Sequence, residues 1–164
     1  MRTVITKPWL KVLIALMIAS VWAVGSANAA VSTVPKCPSF GPNTPSGPHP
    51  GRLAPTSPQA AVLCHYAASN EKAKFGTLVR SVKVVNPKTL AKLLNQAKLI
   101  KGTFSCPVNK GGQDLIIFVA KGVETYVSLS TTGCRDAISS NTSDGYFLSK
   151  AAIVELAKLD PAFK

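Results

Sequence analysis

Asp114-Leu115-Ile116-Ile117-Phe118-Val119-Ala120, then Lys121-Gly122, then Val123-Glu124-Thr125-Tyr126-Val127-Ser128-Leu129-Ser130 is the stretch that decides the fold. From Leu115 to Ala120 the chain is apolar at successive positions, which predicts a central strand covered on both faces. Lys121-Gly122 supplies a two-residue turn, with glycine where positive φ is easy. The return stretch alternates, with Val123, Thr125, Val127 and Leu129 on one face and Glu124, Tyr126, Ser128 and Ser130 on the other, so its second face is wetter. The whole reads as an antiparallel hairpin.

Upstream, Ala61-Val62-Leu63-Cys64-His65-Tyr66 reads as a short strand, and Thr77 to Val85 as another, rich in β-branched residues. A helix follows, with Asn86 as cap, Pro87 at its first position, and Leu90, Leu93, Leu94 and Ala97 on one face. Lys88 and Lys92 share its outer face and are candidates for contact with anions. Downstream, a fifth strand follows Gly133-Cys134, Asn141 to Gly145 reads as a turn leading to Tyr146-Phe147-Leu148, and Ser149 caps a last helix that Asp160-Pro161 ends. The expectation is an α+β domain over residues 60–164, mainly an antiparallel sheet of about five strands with two helices.

The N-terminal end has the three parts of a secretion signal: basic Arg2, Lys7 and Lys11, an apolar run from Val12 to Val24, and Ala27-Asn28-Ala29. Cleavage is expected after Ala29, making residues 1–29 a signal peptide. The apolar run is about 13 residues, short of the roughly 20 that cross a bilayer, so no transmembrane anchor is expected after processing. Residues 30–59 form a Pro-rich arm: proline removes backbone donors and fixes φ, which disfavours regular structure.

Four cysteines allow three pairings. Cys106 and Cys134 lie at similar distances before and after the Lys121-Gly122 turn, so both emerge near the open end of the hairpin and are expected to pair. Cys37 is then left to Cys64, which ties the arm to the first strand. Each bond closes just under 30 residues, a stabilisation of about 3.5 kcal/mol in the chain-entropy account. No C-x-x-C pair suggests zinc or redox chemistry.

Of 19 Lys and Arg, three leave with the signal, so 16 stand against 7 acids, a net of +9. That charge suits anionic envelope polymers or lipid headgroups; an extracellular protein is the other partner considered. Nucleic acid is not expected, because arginines are few and no aromatic-basic motif accompanies them. The histidines are His49, inside the arm, and His65. Asp114, Glu124, Asp136 and Asp144 read as turn or surface residues, and the acids show no ligand spacing, so neither a metal nor a cofactor is expected. No G-x-S-x-G or S-x-x-K element marks a nucleophile. An enzyme, a small secreted hydrolase, is therefore the third reading.

Leu63-Cys64-His65-Tyr66, Ser105-Cys106-Pro107 and Gly133-Cys134-Arg135 together form a pattern that resembles uncharacterised secreted proteins of actinobacteria and related bacteria. The resemblance implies secretion and disulfides, with no activity attached. A fainter likeness is to subtilisin-inhibitor-like proteins, small secreted proteins with two disulfides and a protease-binding loop just after a Cys-Pro. It implies an inhibitory loop at Val108 and Asn109, although the Asp-Pro element expected after that loop is absent here. The leading reading is a secreted, or periplasmic or cell-wall-associated, non-enzymatic binding module, with a secreted protease inhibitor second.

Overall fold

The computed structural model describes residues 33–39, 51–103, 105–107 and 112–163. The hairpin forms as its pattern dictates. Strands β4 (Gln113–Ala120) and β5 (Val123–Ser130) pair antiparallel from Gln113 with Ser130 to Ala120 with Val123. Lys121 and Gly122 adopt φ of 52° and 77°, the paired positive values whose twist matches the flanking strands. The Lys121 N–H donates to Gln59 Oε1 at 2.9 Å, tying the turn to the chain beside it.

Strand β1 (Ala60–Tyr66) lies against β4, and β2 (Leu78–Lys83) covers the other side of β1 as an edge. Beyond β5 come β6 (Asp136–Ser139), β7 (Thr142–Phe147) and the two-residue β3 (Lys98–Leu99). The order across the sheet is β2-β1-β4-β5-β6-β7-β3, with every neighbouring pair antiparallel. The α+β architecture agrees with expectation, but among the described residues there are seven strands, not about five. The turn after β6 falls at Ser140-Asn141, so β7 starts inside the stretch read as a turn. Its Thr-Ser-Asp-Gly opening has no apolar alternation, and backbone pairing with β6 makes it a strand. Strand β3 is too short to show a period.

Helix α1 (Pro87–Leu94) buries Leu90, Ala91 and Leu94; helix α2 (Lys150–Leu159) buries Ala152 and Leu156. Ser149 caps α2, its Oγ accepting from the Ala152 N–H at 3.1 Å. Asn86 stands at the α1 N-cap without a side-chain capping bond. Both helices cover one face of the sheet, where Ala61, Leu63, Ile116, Phe118, Val127 and Leu129 form the main core with them.

The other face, Val62, Cys64, Tyr66, Leu115 and Ile117, is smaller and packs against Cys37, Leu78 and Tyr126. Residues 33–39 strap it. Cys37 is bonded to Cys64, the Tyr66 hydroxyl donates to the Pro38 carbonyl at 3.0 Å, and the Leu78 N–H donates to the Ser39 carbonyl at 3.1 Å. Helices on one side and the strap on the other are why β1 is buried at all seven positions, without alternation. The second disulfide joins Cys106 to Cys134. Residues 51–59, read from composition as the end of an extended arm, pack onto the body: Leu53 and Ala54 are buried, and Tyr146 and Ser139 donate to the Gly51 and Leu53 carbonyls. Among the described residues no helix is long and apolar enough to cross a membrane.

Candidate functional site

The β-sheet register builds a polar row through the apolar core. Arg80 of β2 pairs with His65 of β1, and His65 pairs with Asp114 of β4, so the three side chains share one face. It is the helix-covered face, and the residue that ends α2, Asp160, is lowered onto the row. His65 Nδ1 lies 2.7 Å from Asp114 Oδ1 and 2.7 Å from Asp160 Oδ2. Asp160 Oδ1 forms an ion pair with Arg80 Nη2 at 2.9 Å and accepts a hydrogen bond from the Ala162 N–H at 2.8 Å. On the far side of the ring, His65 Nε2 faces Glu71 Oε1 at 3.4 Å, and the same oxygen accepts from the Ala68 N–H at 3.1 Å.

This corrects the reading of Asp114 as a turn or surface residue: it is fully buried, as an acid can be only when it is neutral or partnered. Burial pushes its carboxyl up to about 7, although the hydrogen bond with His65 opposes the rise. The bonds to Asp114 and then Asp160 raise His65 to about 10 against the cost of burial. For Asp160 burial also pushes upward, but the bonds from His65, the Ala162 N–H and Asp114 outweigh it and hold it below the usual carboxylate range. The two aspartates thus divide the work: Asp160 carries the charge, and Asp114 is the one that takes up a proton.

A histidine whose Nδ1 meets an aspartate has the first half of a hydrolase's acid–base pair. Among the described residues, Nε2, the nitrogen that would serve a nucleophile, faces the Glu71 carboxylate at 3.4 Å.

A second polar feature is open to solvent. Residues 51–59 run beside α1, fixed by the Asn95 side chain, which donates to the Ala54 carbonyl and accepts from the Ala54 N–H, both at 2.9 Å. Along this seam lie two clefts. One, of about 530 Å³, is lined by Pro58, Gln59, Asn86, Pro87, Lys88 and Thr89. The other, of about 320 Å³, is lined by Arg52, Thr56, Lys92, Asn95 and Gln96. Lys88 and Lys92, one helical turn apart, therefore stand at different clefts of one seam, both exposed. Among the described residues, neither they nor Arg52 has a carboxylate partner.

Ala29, His49, Val108 and Asn109 lie outside the described residues. Cys106 and Pro107, just before the expected inhibitory loop, are exposed. The sequence reading singled out the lysines and missed the buried cluster. A His inside an otherwise apolar strand was the one signal that could have pointed to it. Comparison with known proteins gives no match to this chain: no family model, no curated protein and no solved structure.

Proposed function

We propose that this protein is a secreted, non-enzymatic binding module that engages anionic envelope polymers or lipid headgroups along the α1 seam. The observation that carries this reading is the row Arg52, Lys88 and Lys92, three exposed cations that, among the described residues, have no acidic partner and stand beside two clefts. The placement of the acids strengthens it. Asp114 and Asp160 are buried, so two of the seven negative charges never reach the surface, and the outward charge is more positive than composition alone implies. Lysines act on phosphate as point charges, which suits a repetitive polyanion better than a single shaped ligand.

The test is co-sedimentation with phosphatidylglycerol vesicles and with a phosphate-containing wall polymer, at low and high salt. Binding should weaken as salt shortens the Debye length from about 10 Å at 0.1 M to about 3 Å at 1 M. Each cation near an anionic surface contributes about 1 kcal/mol, so Arg52→Gln/Lys88→Gln/Lys92→Gln should cost about 100-fold in affinity. Absence of binding, binding indifferent to salt, or an unaffected triple variant overturns the reading.

The exposed Cys106-Pro107, tethered through Cys134, supports the inhibitor as a second reading. Incubation with a subtilisin-type protease checks it: a true inhibitor survives and loses inhibition in Val108→Gly, whereas plain digestion ends the idea.

A further inference from the structure

Nδ1 of His65 is aimed at two carboxylate oxygens, each 2.7 Å away, and carries at most one proton. One N–H cannot satisfy both. Asp114 Oδ2 is buried without a hydrogen-bond partner, and Asp160 Oδ2 has only the shared Nδ1 of His65 near it, in a protein interior where such atoms are normally paired. The ring is also held from behind. Glu71 sits at Nε2 and accepts from that nitrogen, so loss of the Nδ1 proton to an incoming cation would leave the Nδ1 lone pair facing the two aspartates. In the metal-free protein the imidazolium proton supplies the positive charge at this point, and a cation that displaces it meets one ring nitrogen and two carboxylates already gathered as ligands.

We propose that His65 Nδ1, Asp114 and Asp160 bind one divalent cation of the zinc type, with Glu71 and Arg80 as orienting partners. The three ligand atoms lie within 4.8 Å of one another. A tetrahedral ion with ligands at about 2.0–2.2 Å needs nitrogen and oxygen about 3.3 Å apart, so the carboxylates part by about 0.6 Å on loading. Glu71 behind the imidazole and Arg80 on Asp160 Oδ1, the oxygen turned away from Nδ1, are the outer contacts that usually fix a metal-bound histidine and carboxylate. Formal charge agrees: with a neutral imidazole, Glu71, Asp114, Asp160 and Arg80 leave two negative charges, which one divalent ion cancels. One imidazole with carboxylates suits zinc better than magnesium or calcium, which favour all-oxygen shells.

The experiment uses the oxidised full chain, stripped with chelator and then titrated with Zn²⁺ and, separately, Co²⁺. One equivalent of Zn²⁺ should bind, Co²⁺ should give ligand-field absorption in the visible, and zinc at about 100 times its Kd should raise the folded-to-unfolded ratio about 100-fold. Asp114→Asn should abolish the cobalt band. Should that variant fail to fold, Glu71→Gln, which removes no ligand, should weaken zinc binding about 10- to 100-fold. A wild-type protein that shows neither the cobalt band nor a zinc-dependent stability gain holds only protons at this site, and the proposal fails. Equal zinc binding in folded Asp114→Asn and in Glu71→Gln also overturns it, because it places the ion elsewhere.

Discussion

His65 presents one ring nitrogen to two carboxylates, and the pH dependence of stability in the metal-free protein should carry that signature. The imidazole rises from 6.5 to about 10 on folding, so its contribution is whole below pH 6.5 and is lost as pH climbs through 10. Asp114 rises from 3.8 to about 7, so the folded carboxyl keeps a proton that the unfolded one has shed, and stability falls between those values as pH increases. Asp160 is lowered and contributes in the opposite sense, its stabilisation being lost as pH drops below 3.8. Together these make the cluster's contribution to metal-free stability largest at about pH 4, with a decline toward alkaline pH. Urea denaturation across the pH range reads it. Asp114→Asn should flatten the decline between pH 4 and 7, and a wild-type curve already flat there contradicts the assignment.

At the scale of elements, the two helix starts make a controlled pair. Ser149 bonds the Ala152 N–H, whereas Asn86 holds the same position on α1 without a side-chain bond. Ser149→Ala should cost about 1 kcal/mol and Asn86→Ala only a small fraction of that, measured by chemical denaturation. The sequence showed both helices and the hairpin because their cues are local: a Pro at the first position, a Lys-Gly turn, alternation every second residue. The seven-strand sheet was less legible, because β3 and β7 are defined by backbone partners and have no pattern of their own. The cluster was hidden for a stronger reason. His65 and Asp114 are 49 residues apart and meet only through the β1–β4 register, which no hairpin turn fixes. Asp160 looked like a helix stop, which it also is.

For the whole molecule, the strap of residues 33–39 makes the Cys37–Cys64 bond more than a crosslink, since it lids the second face of the sheet. Cys37→Ser should destabilise by about 3.5 kcal/mol and uncover Val62, Tyr66, Leu115 and Ile117. Chemical denaturation gives the first figure, and increased binding of a hydrophobic dye at native conditions reports the second. If stability falls but dye binding is unchanged, the strap stays in place through its hydrogen bonds to Tyr66 and Leu78 alone.

Among the described residues the sheet ends at β2 on one side and β3 on the other, and both strands carry cations: Arg80 and Lys83 on β2, Lys98 on β3. Unpaired strand edges invite a neighbouring copy to add its own strand, and charges on the edge, including ones turned inward, are what discourage this. Arg80 therefore pairs with Asp160 within the fold and at the same time puts a cation on an outer strand. Some of the protein's positive charge thus sits where charge opposes the addition of a further strand, before any partner is invoked.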